Sequence, residues 1–190
     1  MVFRHPSAAY PASGRGNSPR FTSGPELSGP WTVKFDPAWG GPASVEFSQL
    51  ISWTDRPEPG IHYYSGTATY EKTFDLPPAW RDGGRRLWLD LGRVRELAEV
   101  RLNRKPLGIL WAPPWRVDIS DAVRPTGNML EVQVVNFWPN RIVGDQSLPV
   151  EQRFTRTNIR KLTKDTPLLP SGLLGPVTVQ ALRNSTPAEP

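Results

Sequence analysis

The sequence has no cysteine and only two histidines, His5 and His62. The absence of cysteine excludes a disulfide framework, a thiolate metal site and a cysteine nucleophile. Two histidines are too few for a typical histidine-based zinc site. A Ser-His-Asp triad would have to use His62, and no Gly-x-Ser-x-Gly motif accompanies it. We therefore expect His62 at the edge of a strand rather than in a catalytic centre.

Long apolar runs are also missing. No stretch approaches the length of a transmembrane helix, which is about 20 residues, and residues 1–18 contain no apolar run typical of a signal-peptide core. No glycine-rich phosphate loop or dinucleotide fingerprint is found. These absences predict a protein with no membrane partner and no required cofactor, and the residues alone indicate no compartment.

The net charge of +5 is unevenly distributed. Residues 1–30 carry an excess of two positive charges and residues 151–165 an excess of three, while the remainder is balanced. No DNA- or RNA-binding signature accompanies the basic residues. We therefore expect no nucleic-acid partner.

The 22 prolines and 16 glycines among 190 residues leave little room for long helices and suit short strands joined by turns. Six segments alternate apolar and polar residues with the two-residue period of a half-buried strand. These segments are residues 31–35, 65–74, 86–91, 98–103, 129–135 and 176–182. They predict an all-β, two-sheet antiparallel sandwich with less than about a tenth helix.

The composition also predicts the domain limits. Fourteen of residues 1–30 are proline, glycine or serine, and no apolar periodicity is found among them. We interpret residues 1–26 as a flexible leader or linker, residues 27–183 as one folded domain and residues 184–190 as a tail.

Several stretches of this chain resemble a known family. They include LDLGRVRELAEVRLNRKPLGILWAPPWRVDISDAV (89–123), GPWTVKFDPAWGGP (29–42) and SGTATYEKTF (65–74). The combination of WAPPW, WPNRIVGD and SGLLGPV is the most specific part of the pattern. The chain resembles the galactose-binding-like, sugar-binding jelly roll of family 2-type glycoside hydrolases, and most of all the C-terminal region of the family 106 α-L-rhamnosidases.

The resemblance implies a jelly-roll sandwich associated with polysaccharide breakdown, in a periplasmic or extracellular setting. It implies an oligosaccharide or polysaccharide as ligand and a catalytic glycosidase chain as a further partner. In those enzymes the catalytic carboxylates belong to a separate large domain, so no catalytic residue is carried over to this chain. Jelly rolls of this class also often hold a structural calcium ion, although no dense acidic loop identifies one here.

Two loops combine side chains suited to sugar binding. The first, Trp111 to Trp115, places two indoles beside two rigid prolines, and the second, residues 136–146, contains an indole, amides, a guanidinium and a carboxylate. Aromatic faces stack on the C–H faces of sugars, while amides and charged groups pair with vicinal hydroxyls. The candidate ligand-binding residues are Trp111, Trp115, Trp138, Asn140, Arg141 and Asp145.

A structural alternative exists for both loops. The tryptophans would instead close the end of the sandwich, because large aromatic side chains usually add to a core. Arg141 and Asp145 would instead form an ion pair that holds their loop in place. The sequence leaves both alternatives open.

Three hypotheses for the function remain at this stage: a carbohydrate-binding or accessory module, a small stand-alone glycoside hydrolase, and a structural support domain for a catalytic chain. The hydrolase would need two carboxyl groups, about 5 Å apart for retention or about 6.5–9.5 Å apart for inversion. The available pairs are Glu96 with Glu99, Asp118 with Asp121, and Asp145 with Glu151. For Asp118 and Asp121, the sequence favours capping of a short turn at Ala122 over a catalytic role.

One hairpin departs from the usual pattern. Where an Asn-Gly pair is expected, the sequence has Asn103-Arg104. A type I′ turn needs a positive φ at both central residues, which is costly for arginine. Either this turn is strained or it is of another type.

Overall fold

The computed structural model describes residues 20–81, 84–158 and 160–182. These residues form twelve strands and few helical segments. The strands are β1 (Phe21–Glu26), β2 (Trp31–Lys34), β3 (Val45–Phe47), β4 (Thr67–Phe74), β5 (Leu87–Asp90), β6 (Arg93–Arg95), β7 (Leu97–Leu102), β8 (Lys105–Leu110), β9 (Arg116–Asp118), β10 (Asn128–Val135), β11 (Gly172–Gly175) and β12 (Thr178–Leu182).

The larger sheet has six antiparallel strands in the order β3-β2-β4-β10-β7-β8. Its central strand β10 pairs with β4 along its full length and with β7 from Leu130 to Val135. Leu130, Val132 and Val134 are buried, while the residues between them are partly exposed. Because successive side chains of a strand point to opposite faces, this alternation places one face of the sheet against the core.

The second sheet has four antiparallel strands in the order β1-β12-β5-β9, and a short ladder of β6 and β11 lies beside them. Leu89 on β5, Val117 on β9 and Val179 on β12 are buried in the same cluster as Val100 and Val132 of the larger sheet. The two sheets therefore enclose one core, as in a β-sandwich.

Aromatic side chains and a hydrogen-bonded tyrosine close one side of this core. The hydroxyl of Tyr70 is fully buried and accepts hydrogen bonds from Trp53 Nε1 at 2.6 Å and from the Leu173 amide at 3.2 Å. Burial raises the pKa of the Tyr70 phenol well above its ordinary value. Gly172 has a φ of +104°, and a Cβ atom there would lie 2.5 Å from Trp53 Nε1, so the close approach requires glycine.

The all-β sandwich expected from the sequence is confirmed. The six predicted strands correspond to β2, β4, β5, β7, β10 and β12, with ends that differ by one or two residues. The remaining strands were not predicted, and most of them are three or four residues long or lie at a sheet edge. Strand β8 was missed because Pro106 and Gly108 interrupt its pattern and its side chains are mostly exposed.

The expected start of the folded region at residue 27 needs correction. Residues 21–26 form β1, which pairs with β12 through Phe21↔Leu182, Thr22↔Ala181 and Ser23↔Gln180. The composition FTSGPE hides this edge strand, because serine, glycine and proline are typical of loops. Residues 1–19 and 183–190, which include most of the predicted leader and the whole predicted tail, lie outside the described residues.

The helical segments are short. Helix α1 spans Pro59–His62 and helix α2 spans Pro139–Asp145. Single 3-10 turns lie at Pro37–Trp39, Trp53–Asp55, Pro78–Trp80 and Val150–Gln152. His62 ends α1 and is not at a strand edge as expected, and the predicted loop of residues 136–146 contains α2. Within the described ranges, no helix is long and apolar enough to cross a membrane.

The β7–β8 hairpin has a positive φ at both central residues of its turn, the conformation that is costly for arginine. Asn103 has a φ of 52° and Arg104 a φ of 68°, and Leu102 pairs with Lys105 across the two-residue loop. The Asn103 side chain donates to the Ala122 carbonyl at 2.7 Å and accepts from the Met129 amide at 2.9 Å. These bonds hold the left-handed conformation of Asn103, whereas Arg104 is exposed.

Candidate functional site

A cavity of about 560 Å³ lies at one end of the sandwich, where β4 begins and β10 ends. Its walls come from the 3-10 turn at Pro37–Trp39, residues 64–67, the end of β10 with α2, and residues 154–157. These segments are far apart in the chain, and the antiparallel register brings Val135 opposite Thr67. Loops of a sandwich gather at its ends in this way, where they vary without disturbing the sheets. We call this end of the sandwich the site end.

Besides the buried Tyr64, three exposed aromatic side chains border the cavity. Trp138 is 73% exposed, Trp39 44% and Phe154 39%, so their rings are accessible to a ligand. Asp36 caps the turn that carries Trp39 by accepting from the Ala38 amide at 2.9 Å. Gly40 ends that turn with a φ of +81°, and a Cβ atom there would lie 2.7 Å from the Phe154 ring. The glycine thus allows the segment of Phe154 to lie against the turn of Trp39.

Arg141 lies at the base of the cavity and is almost completely buried. Its Nε donates to Asp145 Oδ1 at 3.0 Å, and its guanidinium lies 4.7 Å from the centre of the Phe154 ring. Burial lowers the pKa of the Arg141 guanidinium, and the charge of Asp145 opposes this effect. The other carboxylate oxygen of Asp145 accepts from the amide and the hydroxyl of Thr155, at 2.7 and 2.6 Å. The ion pair therefore ties α2 to the segment that carries Phe154.

Two asparagines near the cavity are occupied by internal hydrogen bonds. Asn140 donates to the Leu169 carbonyl and to Ser171 Oγ, and accepts from the Leu169 amide, all within 3.0 Å. Asn136 donates to the Tyr64 carbonyl and Ser171 Oγ and accepts from the Gly66 amide, each at 2.9 Å. Their amides hold the loop before β11 against the start of β4 and have little capacity left for a ligand.

The six predicted ligand-binding residues therefore fall into two groups. Trp138 and Arg141 line the cavity, and Trp111, 77% exposed, lies at the same end of the sandwich just after β8. Trp115 is partly buried and packs against the core. Asn140 and Asp145 are buried and hydrogen-bonded within the protein. Trp115 thus contributes to the core, and Arg141 and Asp145 form the ion pair that was the structural alternative to sugar binding.

Among the lining residues that the sequence did not indicate are Trp39, Phe154 and Arg156, whose side chains suit ligand binding. The positive excess in residues 151–165 was a usable signal for this segment. A second depression of about 460 Å³ adjoins the cavity and shares Thr155 and Thr157 with it. Arg153, Arg160 and Lys164 line this depression, which we call the basic groove.

One member of each candidate carboxylate pair is bonded to another side chain or to the backbone. Glu99 accepts from Arg101, and Asp118 accepts from the amide and hydroxyl of Ser120. Within the described lining of the cavity, Asp36 is the one carboxylate. The described ranges contain no group of three or more histidine, aspartate or glutamate residues that could hold a metal ion. We therefore assign no residues to the structural calcium ion that the resemblance implies.

Comparisons with known proteins identify the family. The glycosyl hydrolase 2 galactose-binding domain-like model matches residues 59–165, more than half of the chain. A Formosa agariphila protein named "Putative beta-glucuronidase" is 38% identical over 179 residues, which cover 82% of this chain.

Solved structures show the same relationship. The rhamnosidase from Novosphingobium sp. PP1Y is 41% identical over 85% of this chain, with a TM-score of 0.79. The β-glucuronidase from Ruminococcus gnavus, solved in complex with D-glucuronic acid, is 25% identical over 88% of this chain, with a TM-score of 0.57.

The chain spans only part of these relatives. It covers 15% of the Formosa protein, 15% of the rhamnosidase and 30% of the β-glucuronidase. The match therefore concerns one domain of larger glycoside hydrolases. The chain belongs to the glycosyl hydrolase 2 galactose-binding domain-like family.

Proposed function

We propose that this domain is a non-catalytic carbohydrate-binding module that holds a sugar in the cavity at the site end. The observation that carries the proposal is the cavity itself, in which exposed aromatic rings lie beside charged groups. Trp138 and Trp39 offer flat faces for the C–H side of a sugar ring, and Arg141 and Arg156 offer donors for hydroxyl groups. A volume of about 560 Å³ is within the ordinary range for small-ligand sites.

The relatives support carbohydrate as the class of ligand. They are named as a rhamnosidase and as β-glucuronidases, and one holds D-glucuronic acid. Their catalytic activity is not transferred to this chain, which spans a minor part of their length. The lining of the cavity also contains one described carboxylate, whereas glycoside hydrolysis ordinarily uses two.

Substitution of Trp138 tests the proposal. Trp138→Ala removes an exposed stacking face, so we expect sugar binding to weaken about tenfold, or about 1.4 kcal/mol, with little change in stability. Calorimetry against a panel of plant and bacterial oligosaccharides measures the effect. Met129→Ala is the matched control, because Met129 is 59% exposed on β10 at the opposite end of the sandwich. Equal binding by both variants and the unchanged chain would place the ligand elsewhere.

A second role is favoured by exposed aromatic side chains outside the lining of the cavity. Trp111 is 77% exposed and Phe137 55%. Aromatic side chains are enriched at protein–protein interfaces, and the relatives are much longer than this chain. A domain with only a supporting role would bind no sugar by itself, and Trp111→Ala would weaken its association with a catalytic partner chain.

A further inference from the structure

We infer that the ligand of this domain is an acidic glycan, one that carries carboxylate or sulfate groups, and that it extends from the cavity into the basic groove. The inference rests on the proposed carbohydrate-binding function and specifies the chemical class of the sugar. It follows from the charged side chains that line the two adjoining depressions.

The cations of the two depressions outnumber the carboxylates. Arg141 and Arg156 line the cavity, and Arg153, Arg160 and Lys164 line the basic groove. The carboxylates in the two linings are Asp36 and Asp145. Asp145 is 1% exposed and its charge is balanced by Arg141, so it does not repel an anionic ligand. The surface that a ligand meets is therefore positively charged.

The basic residues of this region also lack acidic partners. Among the described residues, no salt bridge is formed by Arg153, Arg156, Arg160 or Lys164. The outer face of the six-stranded sheet is different, because there Lys34 pairs with Glu71 at 2.6 Å and Arg101 with Glu99 at 2.9 Å. Arg153 donates from Nε to the Leu148 carbonyl at 3.1 Å. Cations without an acidic partner keep a positive charge that anionic groups of a ligand can neutralise.

The geometry of the two depressions suits an oligosaccharide more than a single sugar. The cavity and the basic groove share Thr155 and Thr157, so a ligand that stacks on the aromatic rings continues directly toward Arg160 and Lys164. Guanidinium groups pair with carboxylates and sulfates through two parallel hydrogen bonds. One end of the ligand would thus be held by stacking and the other by charge.

Matched polysaccharide pairs test the chemical class. Polygalacturonate and its carboxyl-reduced form differ only in the acidic group, and so do dextran sulfate and dextran. We expect the full chain to bind at least one acidic member tenfold or more tightly than its neutral counterpart at low salt. Because the Debye length falls to about 3 Å at 1 M salt, the difference should shrink to about twofold or less there. The two pairs distinguish a carboxylate from a sulfate as the recognised group.

Charge-matched variants test the location. The double variant Arg160→Gln/Lys164→Gln removes two cations from the basic groove, and Arg104→Gln/Lys105→Gln removes two from the hairpin at the opposite end. The groove variant should weaken binding of the acidic glycan about five- to tenfold, and the hairpin variant less than twofold. Equal losses would mean that only net charge matters and would overturn the inference.

The remaining outcomes separate the two proposals. Equal binding of acidic and neutral glycans, both weakened by Trp138→Ala, would overturn the acidic class while the carbohydrate-binding function stands. No binding of any glycan would overturn the function itself. Binding of a single-stranded oligonucleotide as tightly as the acidic glycan would show a general anion surface and would also overturn the inference.

Discussion

The guanidinium of Arg141 lies between the rings of Tyr63 and Phe154 and is held by the carboxylate of Asp145. An ion pair of this kind, with side chains 5% and 1% exposed, has given up its hydration. The attraction and the additional bonds from Thr155 offset that cost only while both partners are present. Arg141 is thus a structural residue as well as part of the cavity wall.

Arg141→Ala should therefore destabilise the domain by about 3–5 kcal/mol, because it leaves Asp145 as an unpaired buried charge. The sequence alone left two outcomes open for this change, a loss of sugar binding or a loss of stability. Lys34→Ala is the matched control at an exposed pair and should cost at most about 1 kcal/mol. Chemical denaturation measures both values, and similar small losses would show that the Arg141–Asp145 pair adds little to stability.

Tyr70→Phe should destabilise the domain by about 2–4 kcal/mol, since each buried donor left without an acceptor costs roughly 1–3 kcal/mol. The change removes the acceptor of both Trp53 Nε1 and the Leu173 amide. Tyr63→Phe is the control, because Tyr63 is only half-buried and its hydroxyl forms no hydrogen bond within the described ranges. Thermal or urea unfolding compares the two, and equal effects would mean that water replaces the Tyr70 hydroxyl.

At the scale of single elements, the β7–β8 hairpin contains an arginine in a conformation that favours glycine. Arg104→Gly relieves about 1–2 kcal/mol of left-handed strain and adds about 0.5–1 kcal/mol of chain entropy cost. We expect a net gain in stability of about 0.5–1 kcal/mol. Asn103→Gly is the contrasting variant and should destabilise, because it removes the bonds to Ala122 and Met129. Urea unfolding measures the stability of both variants. A loss of stability in Arg104→Gly would contradict the expected relief of strain.

Strand β1 leads to a prediction about truncation. Its Phe21 ring contacts the Trp88 ring edge-on at a centroid distance of 5.7 Å and lies 4.7 Å from the Arg116 guanidinium. Removal of residues 1–26 should lower the Tm by about 5–10 °C, since 1 kcal/mol corresponds to roughly 2–4 °C in a domain of this size. Removal of residues 1–19 alone should change it by only about 1–2 °C. Calorimetric melting of the two truncated chains tests this, and identical Tm values would mean that β1 contributes nothing.

At the scale of the whole molecule, the described residues form one sandwich with a single buried cluster, and the chain corresponds to a minor part of its larger relatives. Its site end has an aromatic cavity whose described lining includes the single carboxylate Asp36. We expect no hydrolysis of aryl α-L-rhamnosides or aryl β-glucuronides above the buffer rate. Release of the chromogenic phenol measures this, and turnover that Asp36→Asn abolishes would instead support a stand-alone hydrolase.

Patterns that act within a few residues were predictable from the sequence. The alternation of Leu130, Val132 and Val134 identified β10, because a strand turns successive side chains to opposite faces whatever lies around it. The resemblance carried by WAPPW and WPNRIVGD identified the family. The sequence thus determined the fold class and the family, and Trp138 and Arg141, which line the cavity, stay predicted ligand-binding residues.

Only the tertiary structure decided which polar side chains remain available. Asn140 and Asp145 looked like sugar ligands, but Leu169 and Thr155, distant in the chain, occupy their hydrogen-bonding atoms. Trp39 and Phe154 border one cavity because strand pairing places their loops at the same end of the sandwich. Burial and hydrogen bonding depend on what packs over a residue, and that neighbour comes from another part of the chain.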